Sequence, residues 1–224
     1  MIKTAIAIDG PSGAGKSTIS KILAKELGFI YVDTGAIYRT VGIYTYRKGV
    51  DPTDAEKVSA LLPEIDIVIK HINGAQRIFL NGEDVSEKIR EHIISKYASD
   101  VSAIPEVRKF LLNTQREFAE KYNVIMDGRD IGTVVLPDAK IKIFLTATDE
   151  DRAKRRFEEL RAKGQDVPFE KVLSDMRERD KNDSSRATAP LMAAEDAIVA
   201  DTTGNTLEQS IAQLKEIISE RLEK

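Results

Sequence analysis

Apolar residues recur along this chain in two alternating rhythms. Short, nearly continuous apolar runs alternate with segments in which apolar positions return every three or four residues. Runs of the first kind suit strands buried on both faces, and segments of the second kind suit helices with one buried face. Residues 4–8 form the first run. Ile19, Ile22, Leu23 and Leu27 then keep helical spacing, with Gly28 placed to end the helix. Residues 29–32 predict a second strand, and Ile37, Thr40, Val41 and Tyr44 the inner face of a second helix. Thr53 with Glu56 reads as a capping box opening a short helix that Pro63 ends.

The rhythm changes at residues 65–85. Residues 65–69 and 77–80 predict strands joined through Asn73-Gly74, with a second turn at Asn81-Gly82. Such Asn-Gly pairs are hairpin signals, so a small antiparallel unit is expected inside an otherwise α/β chain. Two helices follow, one carrying Ile89, Ile93, Tyr97 and Val101, the next starting at Pro105 with Val107, Leu111 and Phe118. Residues 124–126 and 141–145 predict further buried strands. A charged helix spans 148–163 and closes at Gly164, another runs from Pro168 to about Arg179, then come a strand at 197–200 and an amphipathic helix at 207–222. Five short strands separated by helices predict a five-stranded parallel sheet covered by helices. With no internal repeat or linker-like segment, one domain over residues 1–224 is expected.

Composition narrows the chemistry. The 224 residues contain no cysteine and two histidines, which excludes disulfides, thiolate metal sites, cysteine nucleophiles and a His-rich metal site. A net charge of −3 argues against a general nucleic-acid binder. No apolar run reaches 18 residues and no leader pattern opens the sequence, so neither a membrane partner nor export is expected, and a cytoplasmic monomer is the default. His71 and His92 read as surface residues without a role.

The chemistry begins directly after the first strand. Gly10-Pro11-Ser12-Gly13-Ala14-Gly15-Lys16-Ser17, followed by Thr18, has the spacing of a phosphate-cradling loop between a strand and a helix. Its glycines let successive N–H groups face phosphate oxygens, and the helix adds its positive end. Lys16 reaches the β- and γ-phosphates, and the Ser17 hydroxyl is placed for Mg²⁺. Asp127 and Asp33, each ending a strand, are candidates to support the Mg²⁺ waters; either could instead cap the next turn. The arginines bear on the acceptor. Arg39 and Arg129 follow strand ends, where ligands collect in open α/β sheets. Arg152, Arg155 and Arg156 share one helix face, and Arg177, Arg179 and Arg186 alternate with Asp180 and Asp183. A solvated charged face is the plain account of any one of them. Two polyphosphate groups would use them all, since guanidinium forks bind phosphate bidentately. An acceptor that is itself a phosphate needs no base, and this sequence has no evident one.

Seven segments together carry a family resemblance: IDGPSGAGKST, DTGAIYR, NGEDVSEKIR, ASDVSAIPEVR, MDGRDIGTVV, PDAKIKIFLTA and RDKNDSSRATAPL. Over nearly its whole length the chain resembles the bacterial-type cytidylate kinases. The resemblance implies a P-loop NTPase fold, with a nucleotide-binding insert at about 63–86 and a mobile helical lid at about 149–165. It implies transfer of the γ-phosphate from ATP, with Mg²⁺, to CMP or dCMP. Lys16, Arg129 and Arg186 are implied as catalytic. Ser99, Arg108 and Asp130 are implied as readers of the cytosine, and Arg39, Arg129 and Arg186 as the clamp on the CMP phosphate. Arg179 and Asp183 are implied as ribose contacts. Thr34 stands where the family more often carries Ser, and offers the same hydroxyl to phosphate or ribose. The lid arginines would be Arg152, Arg155 and Arg156. Two other readings stay open from the residues alone: another P-loop small-molecule or nucleoside monophosphate kinase, and a nucleotide-dependent switch. Asp201-Thr-Thr-Gly204 mimics a switch motif, but no Asn-Lys-x-Asp guanine-reading motif occurs.

Overall fold

A computed structural model describes residues 3–72, 75–162 and 164–223. The elements in chain order are β1 (Ala5–Asp9), α1 (Lys16–Leu27), β2 (Ile30–Asp33), α2 (Thr34–Arg47), α3 (Ala55–Leu61), β3 (Ile67–Ile72), β4 (Ala75–Leu80) and β5 (Glu83–Asp84). They continue with α4 (His92–Val101), α5 (Pro105–Lys121), β6 (Val124–Gly128), β7 (Ile141–Thr146), α6 (Asp149–Ala162), α7 (Phe169–Ser185), β8 (Ile198–Asp201) and α8 (Leu207–Leu222). Five strands form one sheet in the order β2-β6-β1-β7-β8, and β1 pairs parallel with both β6 and β7. The expected parallel sheet with flanking helices is therefore present, with the strand that feeds the phosphate loop at its centre.

The chain forms two compact units. One comprises the chain up to Tyr31 and from Tyr122 onward, and the other is Val32–Lys121. The first is built on the sheet, and its core gathers Ile6 and Ile8 of β1, Ile125 of β6, Ile141, Ile143 and Leu145 of β7, Ile19 and Leu23 of α1, and Leu214 and Ile218 of α8. Burying each such side chain contributes about 1.5–3 kcal/mol. That burial outweighs any propensity effect in docking α8, whose start is fixed by a capping box between Thr206 and Gln209.

The second unit holds the antiparallel sheet β3-β4-β5 and helices α2 to α5. β3 and β4 pair from Ile67↔Leu80 to Ile72↔Ala75. The expected turn at Asn73-Gly74 lies outside the described residues. The second turn is seen: Asn81 and Gly82 both take positive φ, 49° and 84°, the signature of a type I′ hairpin turn. Gly42 of α2 lets α4 approach closely. A Cβ there would stand 3.0 Å from the Ala98 backbone nitrogen and 3.3 Å from the Tyr97 carbonyl carbon. Alanine ordinarily gains up to ~1 kcal/mol over glycine inside a helix. Here the α4 backbone must shift, so Gly42→Ala is expected to lose about 1–2 kcal/mol overall, read as a lower denaturant midpoint.

Four expectations need correction. The third helix is capped by Asp54, which accepts from the Lys57 N–H, while the Thr53 hydroxyl donates to Asp51. α7 runs to Ser185 rather than about Arg179, because the polar residues that look like a breaker bury Asp183 against arginines. Ile94, not Ile93, is the buried position at the start of α4. His71 is half-buried with its ring edge-on to Phe118 at 5.9 Å, and the His92 side chain lies outside the described residues.

Candidate functional site

The loop after β1 takes the shape its glycines allow. Gly10, Gly13 and Gly15 have φ of 149°, 74° and 88°. Gly10 is irreplaceable on space as well, because a Cβ would fall 2.0 Å from the Leu145 carbonyl oxygen. α1 then begins at Lys16 with no side-chain cap and no acidic residue in its first turn, which leaves its N–H groups and positive end for an anion. The Lys16 ammonium is buried and donates to the carbonyls of Gly10 and Pro11, both at 2.7 Å. Burial and the Arg129 charge push its pKa well down, against the opposing pull of Asp127. A bound polyphosphate would reverse that depression.

Ser12 is held on both sides of its peptide. Its N–H donates to Asp180 Oδ1 at 2.9 Å and its carbonyl accepts from Arg152 Nη1 at 2.7 Å. Arg152 also pairs with Asp180 and Asp149. Arg155 donates to the Thr202 carbonyl at 2.7 Å, and Arg156 pairs with Glu159 on the surface. The three expected lid arginines thus lie together on α6 with different partners.

The two candidate magnesium-supporting carboxylates separate. Asp127 accepts from the Ser17 hydroxyl and from the Tyr31 hydroxyl, each at 2.8 Å. Asp33 caps α2 through the Ala36 N–H and pairs with Arg90 at 2.9 Å. Burial would raise the Asp33 carboxyl, but the Arg90 and Arg39 charges overcome it and hold the pKa low. No cluster of three metal-ligating His, Cys, Asp or Glu exists among the described residues. One hydroxyl next to one fixed carboxylate suits a hard cation that takes most of its ligands from phosphate and water, as Mg²⁺ does.

Beyond β6 the chain places Arg129 and Asp130, then one wide turn of π-helix, Ile131–Val135. Arg129 Nε donates to Asp183 Oδ2 at 2.8 Å. Arg186 lies 3.8 Å from Asp183 Oδ1 and 3.5 Å from Asp130 Oδ1, and its Nε donates to the Ala189 carbonyl at 2.6 Å. Burial alone would raise the Asp183 carboxyl; Arg129, Arg179 and Arg186 hold it below the ordinary carboxylate value. Five of the expected acceptor ligands, Arg129, Asp130, Arg179, Asp183 and Arg186, therefore form one charged cluster, with Lys16 feeling both Arg129 and Arg179.

The remaining expected ligands lie in the other unit. Thr34 is buried at the start of α2 and Arg39 is half-buried one turn on. Arg108 is buried, donates to the Ser102 carbonyl, and stacks its guanidinium 5.4 Å from the Tyr38 ring centroid. Ser102 in turn donates to the carbonyl of the half-buried Ser99.

Four residues escape the sequence reading. Asp180 and Arg90 are single charges among many, and Tyr31 is a strand residue whose hydroxyl only the fold directs at Asp127. Asp9 did leave a trace, as a carboxylate closing a short apolar strand, a position it shares with Asp33 and Asp201. It is buried and accepts from the N–H groups of Ile131 and Gly132 at 2.8 and 2.7 Å. Burial pushes its pKa up to about 6 in spite of those two bonds.

Compared with known proteins, residues 6–220 match the family described as cytidylate kinase. The chain belongs to the cytidylate kinase family. A cytidylate kinase of Caldicellulosiruptor bescii is 54% identical over 217 residues, covering 97% of this chain and 96% of that protein. Another, from Caldanaerobacter subterraneus subsp. tengcongensis, is 52% identical over 213 residues, with 95% and 93% covered. Among solved structures, an uncharacterized protein from Eubacterium ventriosum aligns with a TM-score of 0.54 at 16% identity, covering 97% of this chain and 99% of that one, a likeness of fold alone. No helix among the described residues is long and apolar enough to cross a membrane.

Proposed function

We propose that this chain transfers the γ-phosphoryl group of ATP to CMP or dCMP, giving ADP and CDP or dCDP. The observation that carries the reading is the cluster of the half-buried Arg129 and Arg186 with the buried Asp130 and Asp183, in the unit that also holds the phosphate loop. An acceptor phosphate oxygen attacks the γ-phosphorus as the bond to the β–γ bridging oxygen breaks. The acceptor is already anionic near neutral pH, so positioning and charge neutralisation supply the catalysis.

Residues 10–18 hold the ATP phosphates, with Lys16 following the charge that develops on the transferring group. Ser17 would hold Mg²⁺ through its hydroxyl, and Asp127, which accepts from that hydroxyl, would orient the waters of the ion; bound with ATP, the ion would supply charge neutralisation. Arg129 and Arg186, together with Arg39, take the acceptor phosphate. Arg179 and Asp183 take the ribose, and the Thr34 hydroxyl takes phosphate or ribose. Asp130 accepts from the cytosine amino group, while Ser99 and Arg108 donate to its N3 and O2. Residues 63–86 form the nucleotide-binding insert and 149–165 the lid. Of the three lid arginines, Arg156 gives up least to reach a phosphate, since its partner Glu159 is an exposed neighbour on the same helix. The protein works as a cytoplasmic monomer on free nucleotides and does not act on nucleic acid.

An ADP-release assay across CMP, dCMP, UMP, AMP and GMP tests the acceptor. Turnover should be fastest with CMP or dCMP, and preference for AMP or GMP would sink the assignment. Asp130→Ala should lower kcat/KM for CMP by about 10- to 100-fold, the worth of a hydrogen bond to a charged group, with KM for ATP little changed. Equal losses for every acceptor would remove Asp130 from base recognition.

A further inference from the structure

We propose that Asp9 is a positioning residue for phosphoryl transfer, holding the Asp130 turn in place relative to the phosphate loop through the N–H groups of Ile131 and Gly132. This inference rests on the CMP kinase reading and assigns a role to a residue that reading leaves idle.

The helical turn Ile131–Val135 begins with N–H groups that have no partner inside it, as every helical start does. Its later N–H groups, those of Val134 and Val135, both return to the Asp130 carbonyl. The first two are taken instead by the two oxygens of Asp9, 122 and 123 residues away in sequence. Asp9 is itself immobilised, because it pairs in register with Gly128 of β6 and Phe144 of β7. Two hydrogen bonds from one rigid carboxylate fix both the distance and the rotation of the turn, where a single bond would leave it free to pivot. The residue before the turn is Asp130, and Arg129 precedes it. The residue after Asp9 is Gly10, the first of the phosphate loop. One side chain therefore joins the start of the donor loop to the start of the acceptor segment.

The packing leaves little slack. A Cβ on Gly132 would meet the Lys142 stem at 3.2 and 3.3 Å and Asp9 Oδ2 at 3.4 Å. Keeping a carboxylate there is also costly. Asp9 faces the negative Asp130, and the cation that faces it, Lys16, is engaged with the loop carbonyls. A neutral capping residue would hold the turn without that cost, but it would accept at one point and not at two.

The test is Asp9→Asn, which keeps the shape and one acceptor while setting its NH₂ against the second N–H. Kinetics are measured with ATP and CMP varied separately, alongside thermal melts. The expected result is a fall of about tenfold or more in kcat/KM for CMP, the worth of one charge-assisted hydrogen bond. KM for ATP should stay within about twofold, and the melting temperature should fall by only a few degrees, because the unpaired N–H is offset in part by the removal of a buried charge. A value of kcat/KM for CMP within about twofold of wild type, or equal losses for ATP and CMP, overturns the proposal. If Asp9→Asn does not fold, Gly132→Ala decides by crowding the same contact: it should raise KM for CMP several-fold more than KM for ATP, and equal effects overturn the proposal. Absence of CMP-dependent ADP release by the wild type would mean that the acceptor reading has failed. An active wild type matched by the variant would mean that only the role of Asp9 has failed.

Discussion

Lys16→Ala is expected to lower kcat/KM by two to three orders of magnitude, ~2.7–4 kcal/mol of transition-state stabilisation. The size follows from where the ammonium lies. It is buried within the phosphate loop and donates to two loop carbonyls at 2.7 Å, so once turned onto the γ-phosphoryl oxygens its charge acts in a water-poor site. Stability should move the other way. Burial and Arg129 depress the Lys16 pKa in the folded state, so the charged form costs stability. That cost is complete below the folded-state pKa and fades as pH rises from there toward the ordinary lysine value. Lys16→Met, which fills the space left by the stem, should therefore melt no earlier than wild type at pH 7 while sharing the kinetic defect. Steady-state kinetics and melts on both variants check this. A kinetic effect under tenfold would show that the transferring phosphate does not meet this lysine.

Asp183→Ala should cost about 3 kcal/mol of stability, at the low end for breaking a buried ion pair, and should sharply weaken use of CMP. The carboxylate receives Arg129 Nε at 2.8 Å and lies 3.8 Å from Arg186. Removing it takes from Arg129 its one hydrogen-bonded charge partner among the described residues, leaving the Gly128 carbonyl at 3.2 Å and the weaker pull of Asp180 and Asp127. The pH dependence follows from its lowered pKa. A carboxyl depressed on folding contributes its full stabilisation above its unfolded value of about 3.9 and loses it as pH falls through the lower folded value. Wild type should lose this part of its stability in that acid window, and the alanine variant should not. Urea midpoints at pH 7 and through the acid range measure the difference, and parallel pH curves for the two proteins would contradict the assignment.

The strands of the sheet and the phosphate loop were legible because each is written in consecutive residues, and strands alternating with helices pair in parallel. Lys16 and Ser17 are found where the motif puts them. The split between Asp127 and Asp33 was not legible, since both end strands and only the fold sets Ser17 and Tyr31 on one and Arg90 on the other. The length of α7 was misread for a related reason. Arg179 to Ser185 is polar enough to look like a helix stop, yet its Asp183 is buried by a charge partner 54 residues away. The role of Asp9 likewise depends on a turn more than 120 residues downstream. Periodicity reports which face of an element is apolar. It is silent about which distant charge will make a polar face worth burying.

The order of the two units along the chain bears on how the protein reaches its fold. Val32–Lys121 is contiguous, whereas the other unit is interrupted by it and must register Ala5 against Val124. Closing a flexible loop of that length costs about 4 kcal/mol of chain entropy. The Ile30 N–H donates to the Asn123 carbonyl at 2.8 Å, so in the native chain the two ends of the interruption lie side by side. If the contiguous unit condenses first, its local contacts absorb that entropy and deliver β1 and β6 to each other already close. The central strand then zips late, and the phosphate loop is among the last parts of the molecule to take shape. A full-length chain carrying Gly42→Ala reports on this sequence of events: slower refolding places the α2–α4 contact before the closing of the sheet, and faster unfolding alone places it after.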